Sequence, residues 1–437
     1  MLGEAKCLEL LESALAACPC DQAEAILYAT DNALTRFADS AIHQNVAEKN
    51  VMISVRAVLG KRIGAAKGNQ ATKEEVAATA ARARDLARVA AEDENFISLP
   101  RPQPLPQVTT FAEPTAASTP EERAEVVRQI ASIAGQAGCA ASGSLSADSV
   151  EVAVANSLGV RAYAPATDAC LIAVASDGES SGYAEWRGMD ISRLEAAAVA
   201  EKAAQKCVAG RGAEAVAPGE YTVILEPLAV GDVLMFLGYV GLGAQSLQEG
   251  RSFLTGKMGE KVTGGNINIW DDASDSRHHA FPFDWEGVPK RKLMLIENGV
   301  GVGVVHDSYT AGKEGTESTG HALPAPNTYG PLPINLFLGT GEATLEEMIS
   351  STERGILVTR FHYTNIVHER QTILTGMTRD GTFLIEGGKV AKPLKNLRFT
   401  QSILEALSSV EMIGRAAELT EYAHVPALKI GKFAFTS

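Results

Sequence analysis

Residues 356–392 read ILVTRFHYTNIVHERQTILTGMTRDGTFLIEGGKVAK. Two strand-like runs face each other across a turn placed near residues 368–372, and the second continues through the glycine turn of GTFLIEGGKVA at 381–391. The same pattern recurs in KLMLIENGVGVGVVHD (292–307) and INLFLGTG (334–341), while only Leu345–Ser351 and Phe399–Met412 read as helical. Upstream, Glu220–Leu225 opens the first of these strands after a short small-residue stretch, Gly210–Gly219. That stretch is the expected domain boundary, with an N-terminal domain at 1–212 and a mainly antiparallel, β-rich C-terminal domain at 213–437.

The N-terminal half reads as an α+β layer domain. Ala5, Leu8, Leu11 and Leu15 recur at helical spacing over residues 3–17. Residues 25–69 then alternate apolar and polar positions, as in an antiparallel meander, with turns expected at Asp31-Asn32 and Glu48-Lys49-Asn50. Thr72 with Glu75 forms a capping-box pattern before an alanine-rich helix running to about Ala91. A crossing segment with five prolines fills 99–119, and Thr119-Pro120-Glu121-Glu122 opens a third helix. Alternating strands return at 141–185 with a turn at Asn156–Gly159. A fourth helix begins near Ile191-Ser192, with a face of Ala196, Ala197, Ala200, Ala203 and Ala204 suited to close packing on a sheet. No internal repeat and no low-complexity tail is evident.

A chain of 437 residues exceeds the usual size of one hydrophobic core. With 46% apolar and 21% charged residues, its composition is that of an ordinary globular protein. The net charge of −14 argues against a broad nucleic-acid surface, which needs clustered Lys and Arg. The densest basic cluster, Lys290-Arg291-Lys292, reads as a solvated strand end. The longest apolar run, Val233–Ala244, is too short and glycine-rich to span a bilayer. Met1–Leu11 carries Glu4, Lys6 and Glu9 rather than a secretory leader. Six cysteines without paired CxxC spacing are expected to be reduced, mostly buried thiols of a cytoplasmic protein.

Candidate chemistry is sparse. A helix-borne zinc site needs two histidines about one turn apart. The only His-Glu pair, His368-Glu369, is followed by Thr372 and Ile373 where the second histidine would fall. His362 and His368 share a strand face but stand roughly 20 Å apart on an extended strand. His278, His279, His306 and His321 remain as metal candidates, each also readable as a loop or structural histidine. No Gly-x-Ser-x-Gly elbow is present, and Gly238–Gly243 lacks nucleotide-binding spacing. The remaining cluster is Arg360, His362, Thr378, Arg379 and Asp380, on the two runs quoted above. Converging arginines can hold a carboxylate or a backbone carbonyl bidentately. The same residues could equally form a structural Arg360–Asp380 or Arg379–Glu369 pair.

Several motifs together resemble the TldD/PmbA family, also known as modulators of DNA gyrase. They are Leu34–Ser40 with Ile42–Asn45, Gly250–Leu254 with Gly256–Val262, and, most strongly, elements between Gly330 and Gly414. The latter are Leu345–Met348, Arg354–Ile356, Thr375–Glu386, Pro393–Arg398 and Val410–Gly414. The resemblance implies a mixed α/β N-terminal domain, a β-rich C-terminal domain, and a heterodimer of TldD-type and TldE-type subunits. The TldD type carries zinc through His-Glu-x-x-x-His and a cysteine, and cleaves unfolded peptides. Here the zinc helix should precede Gly250, but Met235–Gly241 holds neither histidine nor glutamate. The cysteine should fall shortly before Gly381, but the chain has Met377-Thr378-Arg379 and no cysteine after Cys207.

The expectation is therefore a metal-free, TldE/PmbA-type subunit with no cofactor of its own. It would pair with a zinc-bearing TldD-type partner and position extended, unfolded peptides, without nucleic-acid or membrane contacts. Arg360, His362, Thr378, Arg379 and Asp380 are its peptide-cleft candidates. Two alternatives stay open: a stand-alone homodimeric peptide-binding or immunity-type protein, and a peptidase with a metal site built from His278, His279, His306 or His321.

Overall fold

Alternation and capping lay down the N-terminal half as two copies of one α-β-β-β-α unit, seen in a computed structural model describing residues 1–437. The first copy is α1 (Glu4–Ala16), β1 (Gln22–Ala38), β2 (Ala41–Leu59), β3 (Arg62–Gly68) and α2 (Lys73–Val89). After the single turn α3 (Glu113–Ala116), the second is α4 (Pro120–Gln136), β4 (Ala140–Asn156), β5 (Arg161–Ser176), β6 (Ser181–Gly188) and α5 (Ala196–Ala209). All six strands form one antiparallel sheet in the order β3-β2-β1-β4-β5-β6. The central pair β1–β4, with Leu27 opposite Ala153, thus carries an approximate twofold relating the two units. The sequence reading finds no repeat because only the apolar pattern is shared, not the residues.

Each unit lays its helices on the same face of the sheet. Leu10 and Leu11 of α1 and Val76, Ala80 and Ala83 of α2 cover Ala25, Leu27 and Val55. Val127 and Ile130 of α4 and Ala200, Ala203 and Ala204 of α5 cover Phe37, Leu145 and Leu171. The close approach that the alanine face of α5 predicts is real. A Cβ on Gly182 would stand 2.0 Å from the Ala203 carbonyl oxygen, and one on Gly64 would stand 2.2 Å from that of Ala83. Both glycines lie on the third strand of their unit, where it meets the unit's second helix.

Two local expectations need correction. Asp31-Asn32 and Glu48-Lys49-Asn50 are not turns: Asp31 lies opposite Lys49 in mid-ribbon, and the two side chains pair at 2.9 Å. The chain reverses instead at Asp39-Ser40, whose φ values of 50° and 63° make the left-handed two-residue turn that matches strand twist. The capping box at Thr119 and Glu122 forms in full. At Thr72 only half forms, because the Glu75 carboxylate turns to Arg82 and Thr79.

The C-terminal half begins with β7 (Gly219–Leu225) and α6 (Pro227–Gly241). Then follow α7 (Ala244–Gln248), β8 (Ile269–Asp271), β9 (Leu293–Glu297), β10 (Val300–Gly301), α8 (Ser308–Glu314), β11 (Leu336–Leu338) and α9 (Leu345–Ser350). The chain ends with β12 (Arg354–His368), β13 (Ile373–Glu386), β14 (Lys389–Pro393), β15 (Arg398–Ser402), α10 (Ile403–Ser408), β16 (Val410–Leu419) and β17 (Ala423–Phe435). Most pairings are antiparallel, with parallel exceptions at β7–β12 and β11–β17, so the sheet is mixed. Because β7 pairs with both β12 and β17, the strands β7, β12, β13, β15 and β17 close into a ring. Val230, Leu234 and Leu237 of α6 pack against Ile356, Val358, Leu428 and Ile430 of that ring.

Helix α6 is the main element that the sequence reading misses. It is apolar on nearly every side, including the less buried face of Leu228, Met235, Phe236 and Tyr239, so it has no polar stripe to announce it. The second helix expected at Phe399–Met412 shrinks to α10, because residues on either side pair as strands β15 and β16. No helix is long and apolar enough to cross a membrane.

Candidate functional site

The turn expected near 368–372 exists, and β12 and β13 form a hairpin in which Arg360 lies directly opposite Arg379. A register shift after Val358 and left-handed backbone at Asp380 (φ 54°) bend the ladder here. The bend turns the Asp380 carboxylate onto Arg360, whose Nε donates to Oδ2 at 2.8 Å and whose terminal nitrogen donates to the same oxygen. Of the two ion pairs that the sequence allows, Arg360–Asp380 forms, while Glu369 is held by Arg251 at 3.1 Å.

The far side of this pair comes from the N-terminal sheet. Ser181 of β6 donates to Asp380, and the Arg360 guanidinium lies 4.2 Å over the Tyr183 ring. Tyr183 in turn donates to Glu185, which also accepts from Arg187 at 3.3 Å. Asp232 of α6 faces the same cluster. Burial, reinforced by the nearby Glu185 and Glu421 and opposed by Arg360, pushes its carboxyl up to about 7. Lys206 of α5 extends the seam, donating to Thr359 at 2.6 Å and pairing with Glu226. Burial holds the Lys206 ammonium below its ordinary range despite Glu226.

The other cleft candidates divide. The Arg379 side chain is 46% exposed and donates to the His362 ring, whose pKa burial and the two arginines lower. Thr378 is fully buried and its hydroxyl accepts from the Leu397 N–H at 2.9 Å, so it serves the sheet rather than a cleft. Sequence reasoning misses Asp232, Ser181, Tyr183 and Lys206. The usable signal is Asp232, the one charge within an otherwise apolar fifteen-residue helix.

The histidine candidates are placed separately. His278 is buried rather than in a solvated loop, with Nδ1 accepting from the His279 N–H at 2.7 Å. His279 pairs with Asp168 at 3.2 Å, and His306 lies 3.7 Å from Glu314. His321 is held between Asp271 (3.0 Å) and Thr319 (2.9 Å). Lys290, expected in solvent, is buried and donates to Asn335 at 2.8 Å. The one set of three potential ligands within reach of a single ion is Cys139, Asp177 and Cys207. Burial pushes the Cys139 thiol up to about 11, and Asp177 is already bonded to Arg211 and Ser180.

The zinc implied by the resemblance can be tested on these residues. Helix α6 lies in the stretch where the zinc helix should be, and β13 carries the position of the third ligand. Neither supplies imidazole or thiolate toward the seam. Arg360, a permanent cation, is bonded to Asp380 and lies in the field of Asp232. A soft-donor, tetrahedral zinc site needs the opposite arrangement, so the residues present do not fit the ion.

Comparison with known proteins accords with the fold. The PmbA/TldA metallopeptidase C-terminal domain matches residues 218–437, and the central domain of the same family matches residues 113–211. A metalloprotease of Methanothermobacter thermautotrophicus is 28% identical over 201 residues, covering 45% of this chain and 43% of that protein. A metalloprotease TldD homologue of Haemophilus influenzae is 27% identical over 232 residues, covering 52% and 47%. The chain spans about half the length of the curated relatives it matches. Among solved structures, TldE from Thermococcus kodakarensis superposes with a TM-score of 0.88 at 22% identity, covering 99% of this chain and 100% of that one. A protein of Thermotoga maritima described as a modulator of a DNA gyrase gives 0.87 at 18% identity, covering 98% and 100%. At these identities the superpositions speak for the fold, while the domain matches carry the assignment: this chain belongs to the PmbA/TldA metallopeptidase family, the TldD/PmbA family it resembles in sequence.

Proposed function

We propose that this chain is a metal-free, TldE-like member of the family, acting in the cytoplasm as the accessory subunit of a TldD-type zinc peptidase. The observation that carries this reading is that α6 and Met377–Arg379, where the resemblance places the zinc ligands, hold no histidine or cysteine, and that Asp232, Arg360 and Asp380 form a charge cluster beside them. Its role is to hold an extended, unfolded peptide beside the seam and present it to the partner's zinc. Strand β12 supports that role. It pairs with β7 only over Gly355–Val358, so beyond the buried Thr359 and Phe361 the length His362–His368 has β13 on one side and no strand on the other. An extended peptide can add to such an edge through main-chain hydrogen bonds, with little demand on sequence. His362 and Tyr363, the latter 77% exposed, stand on this length, with Arg360 just before it and Arg379 opposite on β13.

Co-expression with a TldD-type homologue from the same genome tests the reading, using size-exclusion chromatography, zinc analysis and a casein digestion assay. The expected result is a 1:1 complex with one zinc, active only when both chains are present. A chain that runs alone as a dimer and never joins the homologue would replace the reading with a stand-alone binding protein. Hydrolysis of unfolded peptides by the pure chain after exhaustive chelation would also overturn it.

A further inference from the structure

Between α1 and β1 the chain runs Ala17-Cys18-Pro19-Cys20-Asp21. This loop is tied at both ends. The Cys18 N–H donates to the Leu15 carbonyl at 3.2 Å, and the Asp21 N–H donates to the Val58 carbonyl at 3.0 Å. Pro19 is exposed, and its ring restricts the backbone between the two thiols. The sulfurs of Cys18 and Cys20 are thereby held 3.5 Å apart. Cys18 is buried in the core beneath α1 and α2, with its sulfur 3.7 Å from the Ala80 carbonyl oxygen. Cys20 is the one cysteine of the six that is not buried.

The two thiols are not equivalent. When protonated, Cys20 has the carbonyls of Cys18 (3.2 Å) and Gln22 (3.1 Å) as acceptors. Against these, the Cys18 S–H, the Val58 backbone and the Arg84 charge favour its thiolate, and they draw the Cys20 thiol down to about 7 despite burial and Asp21. The same hydrogen bond to Cys20, together with burial, pushes the Cys18 thiol up, so Cys18 keeps its proton. The other four cysteines supply a contrast. The sulfurs of Cys139 and Cys207 are closer, 3.3 Å, but both residues are buried and burial pushes Cys139 up to about 11. Cys7 and Cys170 are buried and pushed up to about 12. A readily oxidised thiol needs thiolate character, access and a second thiol within reach. Cys20 alone combines all three.

We propose that Cys20 is a site of reversible oxidation by hydrogen peroxide, with Cys18 as the resolving thiol that closes the pair into a disulfide. The Cys20 thiolate attacks one peroxide oxygen. The O–O bond breaks, hydroxide leaves and takes up a proton to become water, and Cys20 becomes a sulfenic acid. The Cys18 sulfur then attacks the Cys20 sulfur. The S–O bond breaks, and the departing hydroxide takes the Cys18 proton as a second water. Two thiols are oxidised by two electrons and one peroxide is reduced to two waters. The sulfurs close by about 1.5 Å to reach the disulfide bond length of roughly 2.05 Å. A bond across one intervening residue makes a small, strained ring, and strained disulfides are the labile ones. Two molecules of a small thiol reopen it and leave as their own disulfide. This assignment stands independently of the accessory-subunit reading.

The test treats the reduced full chain with a small excess of hydrogen peroxide at neutral pH, then quenches it in denaturant with N-ethylmaleimide. Cleavage after glutamate releases residues 13–24, SALAACPCDQAE, which carry Cys18 and Cys20 and no other cysteine. Mass spectrometry should find this peptide two hydrogens lighter and unlabelled, and dithiothreitol should return it to two labelled thiols. Its oxidation should run at least about tenfold faster than any change at Cys139 or Cys207. In Cys18→Ala, dimedone should trap a sulfenic acid at Cys20; in Cys20→Ser, Cys18 should remain a labelled thiol, both variants keeping the wild-type circular dichroism. A wild-type peptide that keeps two labelled thiols while Cys139 and Cys207 oxidise overturns the proposal. So does Cys20 passing to the sulfinic acid with Cys18 still labelled, or a folded Cys18→Ala that gives no dimedone adduct.

Discussion

Replacing Asp380 with asparagine removes one charge from the seam and little else. Asparagine tolerates the left-handed backbone that Asp380 adopts at φ 54°, and its amide oxygen can still accept from Ser181 or Arg360. The Asp380 side chain is 4% exposed and that of Arg360 is 21% exposed. Truncating one partner of a fully buried pair costs about 3–5 kcal/mol. The residual hydration of Arg360 and the field of Asp232 reduce this, giving about 2 kcal/mol for Asp380→Asn. For a unit of this size that lowers the melting temperature by about 4–8 °C. Scanning calorimetry on the wild type, Asp380→Asn, Arg360→Met and the double variant completes a cycle. Methionine keeps the stem against Tyr183 while removing the charge. A coupling of at least about 1 kcal/mol is expected, with the double variant more stable than the sum of the singles predicts. An Asp380→Asn loss under about 0.5 kcal/mol, or strict additivity, would refute the claim that this pair organises the seam.

Asp232 gives a pH signature. Its carboxyl titrates at about 7 in the folded chain, against about 3.9 unfolded. Between those values the folded state holds the extra proton, so stability falls as pH rises from 4 to 7 and the full penalty is present above 7. Asp232→Asn should therefore stabilise the protein by up to about 4 kcal/mol at pH 8 and leave it unchanged at pH 4; parallel stability curves for variant and wild type would exclude the assignment. At the helix–sheet contacts, Gly64→Ala and Gly182→Ala each drive a Cβ into a helix carbonyl oxygen. Each should cost at least about 2 kcal/mol in urea unfolding, and a loss under about 0.5 kcal/mol at either would show that the helix can shift away.

Most of the fold is legible because it follows period and punctuation. Residues 141–185 alternate and break at Asn156–Gly159, and β4 and β5 reverse across that break. Thr119-Pro120 starts a helix by capping alone. The failures have physical reasons. Asp31-Asn32 and Glu48–Asn50 look like turns because they are polar, but they lie in a part of β1 and β2 where much of the ribbon faces solvent, so polarity there marks exposure and not reversal. Helix α6 is hidden because even its less buried face is mostly apolar, which erases the stripe. At the site, Arg360 and Asp380 are readable because they share one hairpin. Tyr183 and Ser181 are not, because their contacts cross about 180–200 positions of chain and depend on how two sheets meet.

That meeting is decided by side chains rather than by backbone. The approximate twofold makes β3 and β6 equivalent, each with a glycine under its helix, Gly64 in one and Gly182 in the other. Counting from those glycines, Tyr183 and Glu185 correspond to Ala65 and Lys67. The two strands thus offer nearly the same backbone to the C-terminal half, yet only β6 presents a ring for the Arg360 guanidinium and a carboxylate in its field. The opposite strand puts a methyl group and a cation at those places, and a cation there would repel Arg360. The charged seam therefore forms on one of two equivalent strands because of two side chains. For the same reason, the repeat constrains where a site can lie without constraining what it does. A relative that shares this backbone at 22% identity shares the fold, and its chemistry has to be read from its own residues at the positions of Asp232, Arg360 and Asp380.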